Sequence, residues 1–461
     1  MLRFRTAAAI ACLFIIIGAA FSGAGTSDTL DQLGGVNQLA GAFIVALSAG
    51  FTVYWMNRMQ LPASASQSII GSIMGWNLFS GSVIDVASFT KIMSTWIISP
   101  VLAAGFSMVF YRIVKFIINR RRIHMLKLDF YTRAGFVLAG AFGAYSLGAN
   151  NIANVMGVFV AVTPFRPIDL KLLHLSSVES LFLAGGLAVA VGVVSYSHRV
   201  MKTVGQNIVE LTPVAGFVVI MSTALVLFLF SSEDLQSIIL TAGLPALPLV
   251  PVSSTQAMVG AVLGIGLLKG GRGVNFRLLG RIASGWVTAP LAACLITFIS
   301  LFFLQNVFSQ SVFRPVHYML SADVAARLRG EGLYSPELEP LLDRSFMNAA
   351  AFRNELKGRI PMATGEAQMR IIQLSELHPM FVDLSLISRE LGEGWLSAGR
   401  DAALRALSGR EFHYKWQLQE ALIQGEPSWS FREDIPLNRP YNRSLNNRLR
   451  YLYRKFHLEN Q

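Results

Sequence analysis

Two segments of the sequence about 190 residues apart repeat one pattern. Pro62-Ala-Ser-Ala-Ser-Gln-Ser-Ile-Ile-Gly71 and Pro251-Val-Ser-Ser-Thr-Gln-Ala-Met-Val-Gly260 align proline, two hydroxyl positions, glutamine, two apolar positions and glycine. Four residues on, Gly75 matches Gly264, and Trp96-Ile-Ile-Ser-Pro100 matches Trp286-Val-Thr-Ala-Pro290. Each copy breaks an apolar segment with a proline-led, hydroxyl-rich stretch. Paired breaks at matching places in two halves are the sequence mark of a transporter's binding site. The fold expected is an all-α polytopic membrane protein, an inverted-repeat transporter with discontinuous, re-entrant helices, followed by a C-terminal soluble, mainly helical domain.

Composition supports that class. Of 461 residues 53% are hydrophobic and 14% charged, against about a quarter charged in a soluble domain. Of the 27 acidic residues, 18 lie after residue 310, beside 20 Lys and Arg, so that tail is close to neutral. Residues 1–310 hold 19 basic and 9 acidic side chains and carry nearly all of the +12 net charge. Basic loops on an apolar chain suit an anionic lipid bilayer. With no basic-aromatic RNA motif, nucleic acid is not an expected partner.

Apolar runs long enough to span a bilayer, about 20 residues, lie near 6–22, 37–55, 92–118, 131–148, 178–197, 211–230 and 280–305. Shorter interrupted segments at 61–79, 148–164 and 251–268 are expected to face the protein interior, where irregular backbone is tolerated. The first run, after Leu2-Arg-Phe-Arg5, also resembles a signal peptide, but the repeated unit needs spans ahead of Pro62, so a retained helix is expected. The stretch 112–133, with Arg112, Lys115, Arg120, Arg121, Arg122, Lys127 and Arg133, reads as a cytoplasmic loop under the positive-inside rule. Lys269, Arg272, Arg277 and Arg281 form a second basic turn. The expected divisions are a first repeat at 1–118, a basic cytoplasmic linker at 119–130, a second repeat at 131–309 and a soluble helical domain at 310–461. The side of the membrane that holds this last domain stays open.

In the C-terminal part, Ser335-Pro336-Glu337 reads as a helix N-cap, N1 proline and early acidic residue. Further helices are expected from Asp383 to about Leu407 and after Gly409. Arg439 to His457 is basic with interleaved aromatics, which suits a solvated helix face, a frayed tail or a membrane-surface contact. Cys12 and Cys294 sit in apolar spans as packed thiols. The seven histidines lack metal-site spacing, so no metal or other cofactor is expected. No nucleophile–base set or phosphate loop of the Gly-Lys-Ser type is present, so an enzyme is the least supported class.

Chemistry concentrates at three places. Gly148-Ala-Asn-Asn-Ile-Ala-Asn154 puts Asn150, Asn151 and Asn154 in an apolar setting where an unpaired amide is costly. Asn150 and Asn154 are four apart and share one face if the segment is helical. Interhelical hydrogen bonding would explain one such asparagine; three in five residues point to binding a substrate or a cation. Ser253, Ser254 and Thr255 after Pro251, and Ser64 and Ser66 after Pro62, stand where half-helices begin. There free N–H groups, the positive dipole end and hydroxyls suit an anion. Helix capping alone is the competing reading of these hydroxyls.

Together these segments resemble the inorganic phosphate transporter (PiT) family, whose signatures are Gly-Ala-Asn-Asp-x-Ala-Asn and Pro-Val-Ser-Thr-Thr-His, each once per half. The likeness covers roughly residues 2–305 and includes Arg199-Val-Met-Lys-Thr-Val-Gly205 and the run to Glu210-Leu-Thr-Pro213. The resemblance implies secondary transport of inorganic phosphate across the cytoplasmic membrane, coupled to sodium or protons. By position it makes Ser64, Ser66, Ser253, Ser254 and Thr255 phosphate donors. Asn150 and Asn154 would bind phosphate or the coupling ion, with Asn151, Gln67 and Gln256 as further cation-coupling candidates.

Three departures bear on this. The family's acidic residue is Asn151 here, and its histidine is Gln67 and Gln256, which keeps a hydrogen-bonding group without a titratable one. The counterpart of Asn150 would fall about 40 residues before Met1. Residues Leu2 to Leu30 resemble the family's second span and following loop, so an incomplete start is expected, the alternative being a lost half-site. Without a carboxylate in the motifs, sodium held by neutral oxygens is favoured over a proton relay. A sulfate or other oxyanion permease of the same fold, or a transport-dead membrane anion sensor signalling through residues 310–461, are the alternatives. The sequence is compatible with a homo-oligomer.

Overall fold

The computed structural model describes residues 3–59, 61, 63–121, 124–163, 165, 168–170, 173–204, 212–271, 276–387 and 395–458. Pro62, Arg122, Arg272 and residues 205–211 lie outside them. The chain divides into two compact units, Met1–Phe79 with Ile84–Phe313, and Ser80–Val83 with Arg314–Gln461.

The first unit is a helical bundle. Its elements are α1 (Phe4–Ser22), α2 (Ala24–Leu33), α3 (Leu39–Arg58), α4 (Ala65–Ser80), α5 (Val86–Arg121), α6 (Met125–Met156), α7 (Ser177–Val204), α8 (Pro213–Ser231), α9 (Glu233–Thr241), α10 (Ser254–Leu268) and α11 (Phe276–Asn306). Seven helices among the described residues are long and apolar enough to cross a membrane. Each coincides with one of the seven apolar runs in the sequence. A multi-pass membrane protein follows from that count and from the apolar side chains that α3, α5 and α11 leave exposed, among them Phe43, Val101 and Leu291.

α1 is a member of the bundle, packed on α6 and α7. A side chain at Gly148 of α6 would come within 2.9 Å of the Ile15 Cα, and one at Gly18 of α1 within 2.9 Å of the Tyr145 carbonyl carbon. Small residues at these crossings let the backbones touch, the usual basis of helix association where no water drives burial.

α4 and α10 are the two short half-helices, and the other repeat's proline helix clasps each of them. A Cβ on Gly71 of α4 would lie 2.6 Å from the Cα of Pro290 in α11 and closer to its carbonyl oxygen. A Cβ on Gly260 of α10 would lie 2.6 Å from the Cα of Pro100 in α5, with the same carbonyl contact. One turn on, Gly75 meets the backbone of Cys294 and Gly264 that of Ala104. A contact in which each copy offers the same two surfaces to the other is the pattern of a two-fold relation.

Four readings of the sequence need correction. The basic stretch 112–133 is not a loop, since α5 runs to Arg121 and α6 starts at Met125; their charged ends are helical extensions. The segment 148–164 is not interrupted at the asparagines, which lie in the last turns of the 32-residue α6. The helix breaks after them, where a 3-10 turn spans Gly157–Val162. Ser335 makes no side-chain cap, and Pro336–Leu341 is a 3-10 turn, because a second proline, Pro340, disfavours a regular helix. The expected helix from Asp383 begins instead as a 3-10 turn, Leu384–Ile387, and Ala398–Arg405 is α-helical, while residues 388–394 lie outside the described residues. After Gly409 comes first a strand, Glu411–Tyr414, and then the helix Lys415–Gly425.

The second unit is built mainly of short helices, with two small antiparallel ladders among its described residues. Tyr318–Met319 pairs with Ser345–Phe346, and Leu377–Phe381 with Glu411–Tyr414. Its final helix, Arg439–Phe456, is not a frayed tail. Leu445, Leu449, Leu452 and Phe456 recur at helical spacing and are buried with Trp429 and Met380. On its surface Arg370 holds Glu331 through two hydrogen bonds of 2.8 and 2.7 Å, which draws the pKa of that carboxyl down to about 2.

The clasp makes a direct prediction. Gly71→Ala and Gly260→Ala each push a methyl group into backbone that cannot move aside, and overpacking of this kind costs roughly 1–3 kcal/mol. Gly140→Ala in α6, with nothing within 4 Å of its Cβ position, should be neutral or slightly stabilising. Thermal unfolding of the purified protein distinguishes the two classes; equal melting temperatures for all three would contradict the packing argument.

Candidate substrate-binding site

The region before α10 runs without regular structure from residue 244 to 253, exposed at its start and buried in the apolar bundle from Leu249 on. Backbone N–H and C=O groups there must find partners, because no water is at hand and each orphan costs energy. The partners come from four other elements. Gln236 Nε2 donates to Leu247 O at 2.7 Å, and Thr29 Oγ1 to Leu249 O at 2.7 Å. Val250 N donates to Phe230 O at 3.2 Å. Asn150 closes the series, its Nδ2 donating to Val252 O at 2.8 Å while its Oδ1 accepts from Val252 N at 2.9 Å. A carboxamide can do both at once because it presents a donor and an acceptor side by side, as the peptide group does.

From Asn150 the hydrogen bonds form a closed ring. Ser66 Oγ donates to Val252 O at 3.1 Å, and Asn154 Nδ2 donates to Ser66 Oγ at 2.8 Å. Asn151 Oδ1 accepts from Asn150 Nδ2 at 2.9 Å and from Asn154 Nδ2 at 3.4 Å. The ring joins α6, the first turn of α4 and the residue two places before α10. It therefore unites three segments that the sequence separates by up to 186 positions. Asn150 is fully buried, Asn154 and Ser66 nearly so, and Asn151 is half-buried.

Both half-helices begin in the same way. Ser64 Oγ accepts from Gln67 N at 3.3 Å, and Ser253 Oγ accepts from Gln256 N at 3.2 Å. Ser64 and Ser253 are thus N-caps. A capping hydroxyl keeps its own proton to give, and Ser253 Oγ lies 3.0 Å from Thr255 Oγ1. Ser254 and Thr255 are half-buried and stand on the first turn of α10, at the positive end of its dipole. Capping and anion binding are compatible here, since a cap satisfies one of several free N–H groups at a helix start.

Gln67 and Gln256 occupy equivalent positions and share an unusual state. Neither Oε1 nor Nε2 of the buried Gln67 has a hydrogen-bond partner among the described residues, and the same holds for Gln256 Oε1 and Asn154 Oδ1. Buried polar groups are nearly always paired. These buried amide oxygens, at or near the two half-helix starts, are therefore open to a further hydrogen bond or ligand.

The geometry also adds residues that sequence reading passed over. α2 ties the asparagine helix to the irregular segment, with Thr26 Oγ1 donating to Ala149 O at 3.3 Å and Thr29 to Leu249 O. The polar run Gly25-Thr-Ser-Asp-Thr29 looks like a loop after the first span. Its signal lay in three hydroxyls set between two apolar helices. Val252 contributes only backbone, for which no side-chain pattern exists.

Residues 1–297 match the model of the phosphate transporter family. A chain named "Putative phosphate permease" from Thermococcus kodakarensis is 25% identical over 373 residues, 64% of this chain and 88% of its own length. One of the same name from Methanocaldococcus jannaschii is 28% identical over 285 residues, 62% of this chain and 81% of the other. A solved structure named "The sodium-dependent phosphate transporter" superposes with a TM-score of 0.50 at 21% identity, over 66% of this chain and 91% of that one, a likeness of fold.

The Asn150–Val252 pair can be tested on its own. Asn150→Ala strands a buried N–H and leaves Val252 O without its carboxamide partner, and an unmet buried backbone group costs about 1–3 kcal/mol. The variant should melt several degrees lower than the parent in detergent. Unchanged melting would show that Val252 finds other partners.

Proposed function

The chain belongs to the phosphate transporter family, and on that premise we propose that it carries inorganic phosphate across the cytoplasmic membrane together with a cation, sodium in preference to protons. The family is one of transporters and not of enzymes. The observation that carries the proposal is the hydrogen-bonded ring that brings the starts of both half-helices to the asparagine face of α6.

Phosphate bears its charge on four oxygens, so a tetrahedral shell of N–H and O–H donors suits it. Ser254 and Thr255, with the first-turn N–H groups of α4 and α10, supply such donors from two directions, and the two dipole ends add a positive field, while Ser66, whose proton goes to Val252 O, ties the start of α4 to that of α10. Ser64 and Ser253 hold the first turns in shape and offer their hydroxyl protons. Asn150 positions the start of α10, while Asn151 presents the amide that replaces the family's carboxylate. Without that carboxylate, the unpaired oxygens of Gln67, Gln256 and Asn154 are neutral ligands, which suits sodium better than a proton. The solved relative is named as sodium-dependent, which agrees with this choice. In this reading residues 1–118 and 131–309 are the two repeats, and residues 310–461 form an appended domain.

Uptake of radiolabelled phosphate by a strain lacking its own phosphate carriers provides the test. Expression of the chain should give sodium-stimulated uptake that excess sulfate leaves intact, and the double variant Ser254→Ala, Thr255→Ala should lower it at least tenfold, about 1.4 kcal/mol of transition-state or substrate binding. Sulfate competition would turn the assignment to another oxyanion. Phosphate binding without uptake would favour a sensor.

A further inference from the structure

Ser27 of α2 is 2% exposed, and its hydroxyl has no hydrogen-bond partner among the described residues. Helical serines and threonines usually return their hydroxyl to the carbonyl one turn back. Thr52, Ser68, Ser146 and Ser231 do so here, at 2.8 to 3.0 Å. At Ser27 that carbonyl is Gly23 O, which already accepts the Thr26 hydroxyl at 3.0 Å and the Ser27 amide at 3.4 Å. The hydroxyl of Ser27 does not make that bond.

Close to it is the end of α6. A Cβ at Gly157 would lie 3.5 Å from Ser27 Oγ. Gly157 caps α6 three residues after Asn154, so Ser27 places an oxygen beside the turn that follows the asparagines. Gly157, with no side chain, leaves room for it. The last of the asparagines in sequence, Asn154, has both its Nδ2 bonds directed to Ser66 and Asn151, and its Oδ1 is buried and unpaired. Other buried hydroxyls without partners, such as Ser72 and Ser222, lie on α4 and α8 and meet no such turn in the contacts described. α6 ends at Met156, and a helix C-terminus carries partial negative charge that favours a cation.

We propose that Ser27 Oγ and Asn154 Oδ1 together ligate the sodium ion that accompanies phosphate, at the C-terminal end of α6. The inference rests on the transport reading above and adds a ligand from α2. Neutral oxygens and a helix C-terminus suit a monovalent hard cation and need no carboxylate, in keeping with Asn151. Thr26 and Thr29 fix α2 to the chain on either side of this point, so the Ser27 oxygen is held in place before the ion arrives.

The test combines thermal unfolding of the purified full-length protein, in sodium chloride against choline chloride, with phosphate uptake in proteoliposomes. The parent should melt higher in sodium. Ser27→Ala should melt no lower than the parent in choline, because it removes a hydroxyl that bonds to nothing, yet lose most of the sodium-specific rise. In uptake its half-saturating sodium concentration should increase about tenfold, the weight of one contact to a charged group, with the phosphate KM at saturating sodium within about twofold of the parent. Ser27→Thr, which keeps the oxygen, should restore the sodium response. An unaltered sodium response in Ser27→Ala, or a fall of its melting temperature in choline, would overturn the assignment while leaving phosphate transport standing. A parent that takes up phosphate with no response to sodium would overturn sodium coupling itself, and with it this site.

Discussion

An extended backbone cannot lie in an apolar bundle unless its peptide groups are paired, and that constraint organises the first unit. Residues 247–252 meet it by borrowing partners from α2, α6, α8 and α9, one bond at a time. The Asn150–Val252 pair is the last and most demanding, since it satisfies a donor and an acceptor of one residue with one side chain. It also sets where α10 begins, and hence where its free N–H groups and hydroxyls stand. A residue that resembles a substrate ligand in sequence is thereby a structural partner of the backbone that forms the site.

The same pair extends into the ring through Ser66 and Asn154, so the start of α4 is tied to the start of α10 across the two halves. The crossed glycine–proline contacts reinforce this, since each half-helix leans on a long helix of the other repeat. Packed interfaces of this closeness have discrete arrangements and do not deform continuously. A movement of either half-helix must therefore involve the long helix of the other copy that packs on it.

Much of this was legible in the sequence. The seven spanning helices follow from apolar length alone, because lipid imposes the same demand on every one of them. The matching of Gly71 and Gly260, and of Pro100 and Pro290, announced the duplication, although which glycine meets which proline depends on tertiary contact. Asn150, Asn151, Asn154 and Ser66 do meet, in one ring with the backbone of Val252, and Ser64 and Ser253 cap the helices that start beside it. What stayed hidden has identifiable causes. α2 is polar and only 10 residues long, so neither hydropathy nor length marks it, and its threonines act on distant carbonyls. Val252 acts through its backbone, which carries no residue code. The continuity of α6 was missed because asparagine weakens helix propensity locally, a preference that packing overrode.

The central claim is that the two half-helix starts and the asparagine face of α6 form a single cradle. Equilibrium binding of radiolabelled phosphate to the purified full-length protein in sodium tests it most directly, through stoichiometry. One phosphate per chain, with Ser66→Ala and Thr255→Ala each weakening that same site, is the predicted result. Two independent sites per chain, or a single site weakened by only one of these substitutions, would contradict it.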